Sequence, residues 1–243
     1  MTTVRIDLEY DGSEFRGWAK QPGLRTVQGE LEAALATVLR QEVELTVAGR
    51  TDTGVHALGQ VASFESDAEI PAELARSLNG VGPDDIAVTA ATVVNGFNAR
   101  HDAKSRTYLY RVLARKSPSP FELKRALWWP HRLDRALLDA CAKNLLGTHD
   151  FTAFTPTQTD HVRFERDVRA ASWTFDQDLA AFQITADAFM RNMVRALVGT
   201  QLEVASNRRT LTDFEALLKG VPRSAAGDTA PPHGLYLESV AYG

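Results

Sequence analysis

An α+β fold is what this sequence predicts, on three observations. Stretches in which apolar residues alternate with period two interleave with stretches at helical spacing. Turn and breaker residues, Pro22–Gly23 and Pro71 among them, separate the two kinds. At 243 residues with 44% hydrophobic and 24% charged side chains, the chain has apolar mass for one large domain or two small ones.

Each element has its own signature. Val4 to Tyr10 read as a strand with Ile6 and Leu8 on one face. A loop containing Pro22 and Gly23 follows, and Thr26 is placed to cap a helix carrying Val27, Leu31, Leu35 and Val38 at helical spacing. Val43, Leu45 and Val47 alternate with Glu42, Glu44 and Thr46 as a strand that runs into a polar turn. Val55 to Phe64 read as strand again. Pro71 suits the first turn of a second helix, Leu74 and Leu78 share its inner face, and Gly80 fits its end. Ile86 to Val94 close the series as a strand. This β-α-β-β-α-β order is the ferredoxin-like unit.

After a connector over 96–104, the second half follows a decorated version of the same plan. Arg106 to Leu113 form a strand, and Asp134 to Leu146 a helix with Leu137, Leu138, Cys141 and Leu145 inward. Val168 to Phe175 and Ala180 to Ala186 pair as a hairpin around 176–178. A long helix begins near Phe189, a short one at Leu211, and Leu235 to Tyr242 supply a last strand. The stretch 156–165 lacks periodicity and reads as a mobile loop. The expected division is 1–102, a lobe carrying the Asp52 loop, and 103–243, the decorated lobe.

Composition narrows the classes of function. No apolar run is long enough to span a membrane, and Arg5, Asp7 and Glu9 interrupt any signal-peptide core. A single cysteine, Cys141, excludes an internal disulfide, fits a reducing compartment such as the cytoplasm, and reads as helix core. The net charge is −4, yet its distribution is uneven. Residues 1–99 hold 7 basic and 15 acidic side chains, whereas residues 100–135 hold 10 and 3. A local basic surface of that kind fits phosphate backbones and, equally, a solvated charged face. Its best phosphate candidates are Arg100, Lys104, Arg106, Arg111, Arg115 and Lys116, which would supply affinity and register.

The chemistry-bearing candidates are few. Asp52 sits on a Thr/Gly-rich loop between two strands with Arg50 two residues before it, an arrangement that fits a reactive centre and also an Asp bonded to its own backbone. Arg191 and Arg195 stand four apart on one face of the long helix, a like-charge pair that costs a few tenths of a kcal/mol unless an anion lies beside it. Alternation puts Arg106, Tyr108, Tyr110 and Val112 on one face of their strand. His56, His101, His131, His149, His161 and His233 are scattered and read as structural. No Gly-rich phosphate cradle and no Cys/His cluster at metal-ligand spacing is present.

The wording of residues 49–64, GRTDTGVHALGQVASF, goes further. It meets every fixed position of GRTD-x-GVHA-x-x-Q-V-x-x-F, and the chain resembles the tRNA pseudouridine synthase A family. YDGSEFRGW (10–18), TVQGELEAAL (26–35), FNARHDAKSRTYLYR (97–111), GTHDFTAF (147–154), FMRNMVRALVGTQLEV (189–204) and GLYLESVAY (234–242) extend the likeness in order. One departure is Ala19, where the family usually has Gln.

The resemblance implies two ferredoxin-like lobes with their antiparallel sheets joined and an active-site cleft between them. It implies an isomerase that converts uridine to pseudouridine in the tRNA anticodon stem-loop, at positions 38 to 40, as a homodimer; since reactant and product are isomers, no metal or cofactor is expected. Asp52 is implied as the catalytic carboxylate, Arg195 as its partner across the cleft, and Tyr110 as the platform for the target uracil. Arg50 would serve as a second partner of Asp52 or face phosphate. Such a role for Tyr110 is physically sound, since a stacked uridine hides its reacting atoms and must be extruded, and an aromatic face recovers about 1–3 kcal/mol per stacked base. Two other readings compete. An RNA-binding module without chemistry would use the same basic segment and sheets, and a glycosidase would need a second acidic residue near Asp52.

Overall fold

The computed structural model describes residues 1–159 and 162–243. It is mixed α+β, with ten strands and five α-helices among the described residues. None of those helices is long and apolar enough to cross a membrane. The chain divides into two compact units, Met1–Lys104 with Tyr236–Gly243, and Ser105–Leu235.

In the first unit β1 (Thr2–Tyr10) lies between β3 (His56–Ser66) and β4 (Ile86–Val94), antiparallel to both. Period-two patterning explains β1: Val4, Ile6, Leu8 and Tyr10 are all buried. The other edge of β3 is shared. β2 (Thr46–Val47) pairs antiparallel with Ala62 and Ser63, and β10 (Leu235–Tyr242) pairs parallel with His56 and Ala57. Helix α1 (Val27–Leu39) starts where the Thr26 side chain accepts the Gly29 N–H and stops at Arg40, whose φ is 53°. Its buried face is Val27, Leu31, Leu35 and Leu39, each leucine contributing about 1.5–3 kcal/mol. Helix α2 (Leu74–Val81) buries Leu74 and Leu78.

Two expectations for this unit need correction. Val43 and Leu45 lie outside any strand; β2 is confined to Thr46–Val47, because the Leu45 N–H is taken by the Glu32 carboxylate at 3.2 Å. Helix α2 begins at Leu74, after Pro71, and runs through Gly80 to a cap at Gly82.

The second unit is built on the antiparallel run β5 (Ala103–Leu113), β9 (Leu179–Ala186), β8 (Glu165–Asp176) and β7 (Gly147–Asp150). A short β6 (Leu127–Trp128) pairs parallel with Val112 and Leu113. Gln177, at φ 51°, makes the tight β8–β9 turn. Helix α3 (Arg135–Asn144) is capped by Asp134, which accepts the Leu137 N–H. Helix α4 (Met193–Ala205) is buried on almost every side, as a central core helix must be. Its one large polar core residue, Gln201, accepts the Trp173 indole N–H at 2.8 Å. Helix α5 (Leu211–Leu217) opens with a reciprocal Thr210–Asp213 capping box.

Here too the sequence reading needs amending. Helix α4 starts at Met193, four residues after Phe189, because Asn192 takes a left-handed conformation at φ 61°. Arg191 therefore precedes the helix, and it does not share a helical face with Arg195. Of the stretch expected to be a mobile loop, Asp160 and His161 lie outside the described residues, and Glu165 already belongs to β8.

Candidate active site

In the first unit, the loop 48–55 is braced at several points. Ala48 N–H reaches Val61 O, and the Gln60 amide donates to Gly49 O at 2.8 Å and to the Tyr10 hydroxyl at 3.2 Å. Tyr10 also shares a 2.8 Å bond with Thr51 Oγ1. Trp18 N–H donates to Thr51 O, and Gly54 N–H to Phe15 O. A Cβ on Gly17, which has φ +92°, would sit 2.9 Å from Thr51 O, so the 15–18 segment can lie against the loop only as glycine at that position. Val55 N–H closes a turn onto Asp52 O at 3.1 Å.

His56 anchors the far end of the loop. It is 1% exposed, its ring stacks on Tyr236 at 4.6 Å, and its Nδ1 accepts the Gly12 N–H at 3.1 Å. Asp11 Oδ1 lies 3.1 Å from the same nitrogen. The loop thus presents Asp52 half-buried between buried Thr51 and exposed Thr53. Arg50, two residues before Asp52, is exposed.

Burial pushes the Tyr10 phenol up to about 12. In the unfolded chain it ionises near pH 10. The folded-state value is the raised one, so its contribution is full below pH 10 and is lost as pH rises toward 12. Unfolding free energy should fall by about 2–3 kcal/mol over that interval from this group. Urea midpoints measured from pH 9 to 12 test it, and Tyr10→Phe should flatten the decline.

The second unit brings two more candidates together. Arg195, in the first turn of α4, donates Nε–H to Ala230 O at 2.7 Å and Nη1–H to Asn192 Oδ1 at 3.0 Å. The Tyr110 hydroxyl donates to the next carbonyl, Pro231 O, at 2.7 Å. Two consecutive carbonyls therefore hold the guanidinium and the phenol side by side. The charges report the same proximity: burial raises the Tyr110 pKa strongly, and Arg195 opposes that rise. Tyr110 has no exposed surface, and Gly234 packs against its ring, where a Cβ would meet Cε1 and Cζ at 2.8 Å.

Sequence reasoning missed the strap that does this, residues 227–231. It lies along α4 at helical spacing. Gly227 N–H donates to Thr200 Oγ1, Asp228 N–H to Glu203 Oε1, and Ala230 N–H to Arg195 O. Gly199 makes room, since a Cβ there would run into the Asp228 carbonyl. The signal was present in Gly199 and Gly227, but glycines carry no periodicity that points to a partner. Gly199→Ala should destabilise the protein by about 1–3 kcal/mol, lowering its melting temperature by several degrees, and should lower turnover because Ala230 and Pro231 shift.

The expected phosphate contacts are partly committed within the protein. Arg106 Nη1–H donates to Asp187 O at 3.1 Å, Arg111 pairs with Glu122 at 3.1 Å, and Arg115 binds the Ser117 and Pro118 carbonyls. Arg100, Lys104 and Lys116 are exposed. Arg100 and Lys104 belong to the first unit, and the other four to the second.

Likeness to known proteins decides the family. The tRNA pseudouridine synthase family matches residues 8–102 and 141–243. The tRNA pseudouridine synthase A of Bacillus subtilis (strain 168) is 40% identical over 243 residues, covering 98% of each chain. The chain belongs to the tRNA pseudouridine synthase A family. Its activity class is therefore that of an isomerase acting on uridine in tRNA. The enzyme of that name from Lacticaseibacillus casei (strain BL23) is 41% identical over 250 residues and the full length of both chains. Arg50, Asp52, Arg100 and Arg195 fall inside the spans matched by the synthase family. Lys104, Arg106, Tyr110 and Arg111 lie in the intervening 103–140, which the full-length relative covers. One chain of a Cbf5-Nop10-Gar1 complex overlays 82% of this chain and 53% of its own at a TM-score of 0.36 and 10% identity, too slight a likeness to inform the fold.

Proposed function

We propose that the protein converts uridine to pseudouridine in the anticodon stem-loop of tRNA, at positions 38 to 40, with Asp52 as nucleophile, Arg195 as its cationic partner and Tyr110 as the platform for an extruded uracil. The observation that carries the reading is the pairing of Arg195 with Tyr110 by the Ala230 and Pro231 carbonyls, together with a braced motif loop that offers Asp52. The reading requires the two units to be ferredoxin-like lobes with joined sheets, so that Asp52 meets Arg195 and Tyr110 in the cleft between them. It places the protein in the cytoplasm as a homodimer.

The reaction is balanced within one nucleotide. The bond from ribose C1′ to uracil N1 breaks, the ring turns, C1′ bonds to C5, C5 gives up its proton and N1 gains one. An ionised Asp52 serves by attack on C1′, by attack on C6, or by assisting elimination at the sugar. Each route needs a charged carboxylate, which a guanidinium favours against the cost of burial. Arg195 presents a planar fork whose direction is fixed by Ala230 and Asn192. Tyr110 is held as a hydrogen-bond donor with its ionisation opposed by burial, which suits a stacking platform better than a base. A stacked uracil must displace what covers the ring. Arg50, exposed on the same loop, serves as a second cationic partner of Asp52 or meets RNA phosphate, and Arg100, Lys104, Arg106 and Arg111 add positioning contacts.

The test is release of tritium from unmodified tRNA labelled at uracil C5. Label is expected in solvent at one equivalent per pseudouridine formed; no release from any such tRNA rejects the reading.

A further inference from the structure

Between β5 and β6 the chain makes an arm that neither the fold nor the proposed chemistry uses. Its tip exposes Phe121 at 87% and Leu123 at 71%, and Trp128 at its base is 42% exposed. Large apolar side chains so placed cost solvation and ordinarily mark a contact surface. The arm holds its own shape. Arg115 clamps the Ser117 and Pro118 carbonyls, the Trp128 indole N–H donates to Arg115 O at 2.9 Å, and Glu122 O accepts from the Arg125 and Ala126 N–H groups. Arg111 ties Glu122 to β5. An ordered arm loses little further entropy when something docks on it.

Charge selects the occupant. Residues 111–132 hold Arg111, Arg115, Lys116, Lys124, Arg125 and Arg132 and, within the segment, one acid, Glu122. Arg111 pairs with Glu122 and Arg115 with Asp178 of the β8–β9 turn, so the arm keeps a net positive charge. Two copies meeting arm to arm about a two-fold axis would set those cations against their own images. A nucleic acid offers phosphates to the cations and a base face to the ring at once. Position agrees, because Leu113, where the arm leaves its strand, is about 10 Å along β5 from Tyr110.

We propose that this arm docks on the RNA substrate, with Phe121 stacked on an unpaired base and Lys116, Lys124 and Arg125 supplying cations to the adjoining phosphates. The inference rests on the reading that the protein acts on tRNA. Leu123 fills the space beside the stacked base, and the arm fixes the register of the RNA relative to Tyr110.

The test compares the full-length protein with Phe121→Ala, Phe121→Trp and Phe121→Leu. Measurements are KM, kcat and Kd for an unmodified tRNA transcript, and mass in solution by light scattering. Phe121→Ala is expected to raise KM and Kd about 5- to 150-fold with little change in kcat or mass. Tryptophan should restore binding and leucine should not, since only the former has a π face. Lys116→Ala should lower the slope of log affinity against log salt by about 1. Unchanged KM and Kd in Phe121→Ala would overturn the proposal, as would rescue by leucine equal to that by tryptophan, or a fall in mass that makes the arm a contact between copies. An active parent with unaffected variants sinks this proposal alone. A parent that binds tRNA through Phe121 yet forms no pseudouridine sinks only the assigned reaction.

Discussion

Asp52→Asn is expected to slow pseudouridine formation by about 10,000-fold or more while leaving tRNA affinity nearly intact. Asparagine keeps the shape and loses the negative charge on which every proposed route at C1′ or C6 depends. Several bonds that brace the loop run through Thr51 and through the backbone of residues 48–55, and thermal unfolding of the variant checks that the fold survives. Single-turnover kinetics with excess protein, alongside filter binding of the same tRNA, separate the two effects. A variant that binds and still reacts at an appreciable fraction of the parent rate would remove Asp52 from the chemistry.

Arg195→Lys is expected to cost about 100- to 1,000-fold in the same single-turnover rate, the usual scale for losing a preorganised electrostatic contact. Lysine keeps the charge but lacks the fork that engages Ala230 O and Asn192 Oδ1 together. Part of the effect could arise merely from loosening the strap, and thermal unfolding distinguishes this. A lowered melting temperature with an unchanged rate would make Arg195 a staple for residues 227–231 and nothing more. An unchanged melting temperature with the full rate loss would assign it to the reacting centre.

Much of the architecture was legible because local chemistry and tertiary structure agree. Thr26 caps α1, Ile86–Val94 and Leu235–Tyr242 are strands with the bounds their alternation suggests, and Gln177 turns the β8–β9 hairpin. What escaped depended on distant partners. A buried Glu32 diverts Leu45 from the sheet, Asn192 delays α4 by a left-handed residue, and β6 and β7 are too short to show a period. Among the candidate residues, motif wording singled out Asp52, Tyr110 and Arg195. The carbonyls of Ala230 and Pro231 that orient two of them have no side-chain identity to read, and the exposure of Phe121 is visible only once the chain is folded.

The parallel seating of β10 on β3 has a consequence for biosynthesis. The ribosome makes His56 early, yet Tyr236, on which that imidazole rests, emerges only after the whole of 105–235. A nascent chain therefore carries its first unit with one sheet edge unpaired until residues 236–237 have emerged, an opening for chaperones or for misassembly with neighbouring polypeptides. Removing residues 236–243 should leave that unit permanently in its unfinished, aggregation-prone form, although every residue of the GRTD loop is still present.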